Sequence, residues 1–332
     1  MSSSPLESVH PRTAADPVDA LRDAEARLFR VHGLAVRERW LSLARPKIRA
    51  RVLESGEGPP VLHVHGGGTF GAVSVPLAAA LPGRRHLLLD RPGFGLSERA
   101  DVYPDFRARS IELLVSTLDA LELDSVDIVA NSIGAGMAMW LALAHPSRVR
   151  SLAFVGGAAM LPGPELPFVL RLLAMPVIGP LLLALERPSP AQVRAFLRRF
   201  GHDPDAVEPA LQAVVLAAER VPTHAVAWRE LLQATISWKG QRPGLVLTQE
   251  ELRAIACPVA FAWGAKDSMV DARDGRAAAE QMRDARFEVV GTGHAPWLDD
   301  AAGVARAIEP VLAPRGERAD SSLRARGARS GG

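Results

Sequence analysis

Apolar positions in this chain fall into short runs separated by longer amphipathic stretches. Val61–Val64, His86–Leu89, Val126–Ala130, Ser151–Val155, Val259–Trp263 and Phe287–Val290 are such runs. Several are almost continuously hydrophobic, as strands covered on both faces of a parallel sheet must be. Residues 36–44 and 47–54 read as two more strands ahead of them. Asp19 to Val31 carries Leu21, Ala24, Leu28 and Val31 on one stripe, the spacing of a helix with a buried face. Helical patterns separate most of the strands. The expected fold class is α/β, a mostly parallel central sheet with helices on both faces.

One span breaks the alternation. Residues 158–247 contain helix and turn signals but no strand pattern. Ser189-Pro190 is a helix start, with Ala191–Phe200 ending at Gly201. Thr223 is a candidate cap for a helix running to about Trp238, and Thr248-Gln249-Glu250-Glu251 reads as a capping box. Such a span is expected to be a helical cap inserted into a core made of residues 17–157 and 248–313. Its most apolar stretch, Phe168–Leu185, is broken by Arg171, Pro176, Gly179 and Pro180. It is no membrane span, which needs about 20 apolar residues in unbroken helix. Its Leu, Val and Met side chains are instead expected to wall an apolar site.

Composition narrows the classes. Of 332 residues, 48% are hydrophobic and 23% charged, the balance of an ordinary globular protein. The net charge of +2 is local in origin. Residues 314–332 hold five Arg against Glu317 and Asp320, a net of +3, which leaves −1 for everything else. No basic face for nucleic acid is indicated. Residues 1–16 and 314–332, rich in Ser, Pro, Gly, Ala and Arg, are expected to be disordered. The single cysteine, Cys257, reads as a buried structural thiol and excludes an internal disulfide. No apolar signal segment opens the chain, so a reducing, cytoplasmic compartment is expected. The chain contains no HExxH, CxxC or EF-hand pattern, so the expected chemistry needs no cofactor and no metal.

Candidate chemistry lies just past four of the strands. Ala130-Asn131-Ser132-Ile133-Gly134 sets one hydroxyl among small residues at a strand-to-helix junction, where a nucleophile can stand clear of its neighbours. His65-Gly66-Gly67-Gly68 follows Val64, Trp263-Gly264-Ala265-Lys266-Asp267 closes another strand, and Gly293-His294-Ala295-Pro296-Trp297 comes last. Open α/β sheets build their sites at these carboxyl ends. The glycine run could in principle cradle a phosphate, but no Lys-Ser/Thr follows it.

Over roughly residues 47–312 these motifs resemble the α/β-hydrolase superfamily, as does Asp90-Arg91-Pro92-Gly93-Phe94-Gly95-Leu96-Ser97. Ala130 stands where that family usually has Gly. The resemblance implies Ser132 as nucleophile, His294 as general base and Asp267 as the acid that orients it. Asp271 and Asp274 are rivals for the last role. It also implies an oxyanion hole from the backbone N–H of Ile133 and of Gly67, with Gly68 the alternative. His65 reads as a structural histidine of that loop, while His63, His145, His202 and His224 stand in no telling context.

The reaction implied is cleavage of a carboxylic ester, thioester or lactone through an acyl-enzyme, on a small, apolar-leaning substrate. Asn131 and the triple glycine also resemble carbon–carbon bond hydrolases of the meta-cleavage type. That group tends to place Trp directly after the catalytic His, where Ala295 stands here. Asn131 reads equally as a structural hydrogen-bonder at the elbow. A non-catalytic ligand-binding member of the fold is the remaining alternative.

Overall fold

A computed structural model describes residues 16–101, 105–163, 165–185 and 187–312. Among the described residues, ten strands run in chain order: β1 (Val36–Leu43), β2 (Ile48–Ser55), β3 (Pro60–Val64), β4 (Arg85–Leu89), β5 (Val126–Ser132), β6 (Val149–Ala158), β7 (Ile236–Ser237), β8 (Gly240–Gln241), β9 (Val259–Trp263) and β10 (Ala285–Val289). Eight of them form one sheet in the order β1-β2-β4-β3-β5-β6-β9-β10. β2 is antiparallel to both β1 and β4, and every other neighbouring pair is parallel. Leu62, Leu87, Ile128, Phe154 and Phe261 are fully or almost fully buried in the central strands. Burial from both sides explains why those segments read as unbroken apolar runs.

The helices are α1 (Pro17–Val31), α2 (Val75–Ala79), α3 (Phe106–Ala120), α4 (Ile133–Ala144), α5 (Phe168–Leu173), α6 (Ile178–Leu185), α7 (Pro190–Arg199), α8 (Pro209–Glu219), α9 (Pro222–Thr235), α10 (Gln249–Ala254), α11 (Ala272–Gln281) and α12 (Trp297–Leu312). Five of them, α5 to α9, with the β7–β8 hairpin, fill the chain between β6 and α10. The capping box before α10 forms as expected. Thr248 Oγ1 accepts from Glu251 N at 3.1 Å, and Glu251 Oε2 accepts from Thr248 N at 2.9 Å.

Helix α1 is anchored by charge as well as by its stripe. Glu25 grips the Arg51 guanidinium through bonds of 2.6 and 2.9 Å, and Arg51 Nε reaches Asp90 Oδ2 at 2.7 Å. Asp90 also accepts the backbone N–H of Gly71 and of Leu96. The Asp90–Ser97 motif therefore turns around a buried carboxylate.

Several expectations need correction. Asp16, placed in the tail by the sequence, caps α1, its side chain accepting from Val18 N at 2.8 Å. The rest of the expected disordered tails, 1–15 and 314–332, lies outside the described residues. Thr223 is not the cap of α9: Pro222 takes the first helical position, and Val221 precedes it without a side-chain bond. Proline fits there because the first turn has no use for its missing N–H. The helix stops at Thr235, because the chain turns into β7 and places Trp238 between β7 and β8. The stretch Phe168–Leu185 is only partly buried. Leu170, Leu173 and Ala174 face inward, whereas Phe168, Val177, Leu181 and Leu185 are exposed. Two short helices separated by Pro176 cannot turn every apolar side chain to one side. Among the described residues, no helix is long and apolar enough to cross a membrane.

Candidate active site

Ser132 ends β5 and immediately precedes α4, with φ 52° and ψ −121°. Serine rarely occupies this region, and the strain persists only because the flanking strand and helix over-determine it. The turn is tight because α4 lies directly against β3. A Cβ added to Gly134 would stand 2.2 Å from the carbonyl oxygen of Val64. Alanine at 130 is accommodated, buried in the strand. The helix begins at Ile133, directly after Ser132, so the elbow is sharp. Among the described residues Ser132 Oγ has no hydrogen-bond partner, and Ser132 borders the same cavity as His294.

Asp267, four residues past β9, meets His294 across the sheet ends. His294 Nδ1 lies 2.8 and 3.0 Å from the two carboxylate oxygens. The same carboxylate accepts the backbone N–H of Gly157 at 2.8 Å, Met269 at 2.8 Å and Val270 at 3.1 Å. Burial alone would raise this carboxyl, but the facing imidazole and these donors hold it below its ordinary value. An ionised carboxylate only accepts, so His294 carries a hydrogen on Nδ1, and in the neutral imidazole Nε2 is the acceptor. The pair fits because β6 ends in Gly156-Gly157. A Cβ on Gly157 would come 2.6 Å from Asp267 Oδ2 and 3.1 Å from the His294 ring.

The rival acids are elsewhere. Asp271 caps α11, accepting from Arg273 N at 2.8 Å, and is exposed. Asp274 sits in the first turn of the same helix.

The glycine loop is braced from beneath. Arg91 N donates to His65 Nε2 at 3.0 Å, so His65 must carry its hydrogen on Nδ1, which meets Gly66 O at 2.8 Å. Arg91 Nη2 also donates to Gly66 O at 2.8 Å. Burial, with Arg91 beside it, pushes His65 well below its ordinary pKa, so it stays neutral and structural. Gly67 and Ile133 both line the cavity beside Ser132. Gly67 and Gly68 lie under the Trp228 ring, where a Cβ on Gly67 would approach to 2.5 Å.

Asn131 is committed to structure. Its amide nitrogen donates to Val155 O at 2.6 Å and to His294 O at 3.0 Å, tying β5, β6 and the histidine loop together.

Residues 59–301 match the family model described as alpha/beta hydrolase fold. The chain belongs to the α/β-hydrolase family. It is 29% identical over 272 residues to a 2-hydroxymuconate semialdehyde hydrolase of Pseudomonas putida, across 80% of this chain and 91% of that one. It is 28% identical over 269 residues to a pimeloyl-(acyl-carrier protein) methyl ester esterase of Chromobacterium violaceum, across 77% and 95%. In three dimensions it matches a carboxylesterase of Bacillus subtilis with a TM-score of 0.70 at 19% identity, covering 89% of this chain and 98% of that one, which is a likeness of fold.

This α/β-hydrolase carries site features that its sequence did not reveal. Trp228 from α9 covers the glycine loop. His224, one turn earlier, is buried and pushed down to about 4 by that burial, with the Gly68 backbone pulling the other way. Phe200 O accepts from His294 N at 2.8 Å, and His202 Nε2 accepts from Ala295 N at 3.1 Å. All four come from the span between β6 and β9. Their partners lie far away in sequence, so no local spacing could have marked them.

Proposed function

We propose that this protein is a serine hydrolase that cleaves neutral, apolar carboxylic esters, thioesters or lactones through an acyl-enzyme, with residues 158–247 as a cap over the site. The observation that carries the reading is the chemistry of the cavity wall. It includes Leu170, Val193, Phe196, Leu211, Trp228 and Leu231, and among the described residues no Lys, Arg, Asp or Glu borders it. Its polar members are largely spent on the chain itself. Asn131 bonds as described, Gln212 donates to Pro204 O and Val207 O, and Gln241 bonds Met160 N and Leu161 O. Thr69 and Thr235 donate to backbone carbonyls. Ser132 and His294 border this cavity together, as the pair that acts on the substrate in this reading.

In this mechanism His294 Nε2 takes the Ser132 proton as Oγ attacks the carbonyl carbon. Asp267 holds the tautomer and stabilises the imidazolium. The backbone N–H of Ile133 and of Gly67 receive the oxyanion, each donor contributing about 3–4 kcal/mol. His294 then returns the proton to the leaving alkoxide, and water repeats the cycle on the acyl-enzyme.

A second reading, hydrolysis of a carbon–carbon bond, is favoured by the likeness to the 2-hydroxymuconate semialdehyde hydrolase. A muconate-type substrate brings a carboxylate, and burying an unpaired charge is costly. The uncharged wall weighs against it. p-Nitrophenyl butyrate, its hemisuccinate counterpart and a 2-hydroxydienoate separate the readings. Butyrate is expected to be cleaved at least tenfold faster than hemisuccinate, since one uncompensated charge exceeds about 1.4 kcal/mol. From acetate to hexanoate, kcat/KM should rise several-fold per methylene, at about 0.8 kcal/mol each, and then level off. Preference for hemisuccinate, or faster cleavage of the dienoate, overturns the ester reading.

A further inference from the structure

We infer that His202, from the segment joining α7 to α8, is a positioning residue that holds the loop carrying the base, so that docking of the helical insertion and alignment of His294 are one event. The inference rests on the serine-hydrolase reading above.

Three contacts place the segment 199–202 against both loops of the acid–base pair. Phe200 O accepts the backbone N–H of His294 at 2.8 Å. His202 Nε2 accepts the backbone N–H of Ala295, the next residue, at 3.1 Å. On the acid side, Ser268 Oγ donates to Arg199 O at 2.5 Å. Packing is close enough that a Cβ on Gly201 would stand 2.1 Å from Lys266 O, and one on Gly293 would stand 2.4 Å from His202 Nε2. The Phe200 ring lies 5.7 Å from the His294 ring, centroid to centroid.

The His202 tautomer follows from its partner. An N–H can only donate, so Nε2 must accept, and the ring hydrogen sits on Nδ1. Nδ1 faces Asp299 Oδ2 at 3.5 Å. Asp299 in turn accepts the hydroxyl and the backbone N–H of Thr292. Thr292, Asp299, His202 and Ala295 thus brace the base loop on both sides of His294. His202 is buried, with a side chain 1% exposed. Only one of these braces is a side chain reaching from the insertion to a backbone group beside the base, and a substitution there can remove it. Misplacing a reacting group by about 1 Å costs on the order of a hundredfold in rate.

The test compares His202→Leu, His202→Gln and His202→Asn, with wild type and Ser132→Ala as references. The readouts are kcat and KM on p-nitrophenyl butyrate and thermal melting. Leucine removes the acceptor. Glutamine places an oxygen where Nε2 stood, and asparagine is too short to reach. The expected result is a roughly hundredfold fall in kcat with nearly unchanged KM for His202→Leu. Restoration of most of kcat is expected in His202→Gln but not in His202→Asn. If His202→Leu does not fold, the Gln and Asn pair decides: equal kcat in the two overturns the inference. Wild-type kcat in His202→Leu overturns it, as does a rise in KM alone, which would make His202 merely part of the cavity wall. A wild-type enzyme without Ser132-dependent turnover overturns the functional reading as well, so the two failures are distinguishable.

Discussion

Two clusters of buried ionisable groups occupy opposite halves of the sheet and differ in what their members leave uncommitted. The first joins Glu25 on α1, Arg51 on β2 and Asp90 after β4. Arg51 and Asp90 are fully buried, the guanidinium is hydrogen-bonded to Glu25 and Asp90 with Glu38 3.6 Å away, and two backbone N–H groups take up the rest of Asp90. The second joins Asp267 after β9 to His294 before α12. Its carboxylate is equally saturated, but its imidazole keeps one nitrogen for the cavity that Ser132 borders. Both clusters place charge where water is scarce. The first satisfies every member and holds the chain; the second withholds one acceptor beside a strained serine.

That contrast can be broken at either end. On the proposed mechanism, the largest effect is expected from Ser132→Ala and His294→Ala. Each should lose on the order of a millionfold in kcat toward p-nitrophenyl esters with little change in melting temperature. Residual wild-type rates in Ser132→Ala would break the comparison outright. Asp267→Asn should lose about 10⁴ in kcat, by presenting a donor to Nδ1 and favouring the wrong tautomer.

Arg51→Met should do the reverse. Stranding Glu25 and Asp90 without their cation should cost about 3–5 kcal/mol in urea unfolding, while kcat per folded molecule stays near wild type. A loss of kcat at full folding would mean that the brace also shapes the site.

The clusters should also differ in sign under acid. Asp267 lies below its ordinary value of 3.8, so its contribution to stability is complete above that value and is lost as pH falls through the lowered one. Glu25 is raised by burial, against the pull of Arg51, so folding favours its protonated form. Its contribution therefore grows as pH falls from that raised value toward 4.5. As pH falls, urea midpoints should fall less steeply than in wild type below 3.8 in Asp267→Asn, and more steeply above 4.5 in Glu25→Gln. Slopes that change in the same direction in both would sink the distinction. The smallest effect is expected at the exposed rival: Asp271→Asn should change kcat by no more than about twofold. A larger loss there than in Asp267→Asn would move the acid to Asp271.

Much of this was written in local sequence. Short unbroken apolar runs marked the parallel strands to within a few residues, because burial on both faces admits little else. The small residues around Ser132, the glycines after Val64 and the loop ending in Asp267 could be placed at strand ends, because each is a run whose backbone needs are local. The capping box at Thr248 was legible for the same reason. Asn131 was ambiguous in sequence, and only its bonds to Val155 and His294 assign it to structure.

What the tertiary structure decided is how distant segments meet. Nothing near His202 announces that its ring would face Ala295, 93 residues on. Trp228 over Gly67, and Phe200 against His294, are likewise products of how the helical insertion docks. The same docking determined which apolar residues of Phe168–Leu185 turn inward and which face outward. Periodicity and turn chemistry act over a few residues, where steric and hydrogen-bonding rules specify the answer. Contacts between the insertion and the core depend on the packing of whole surfaces, and that information is spread across the chain.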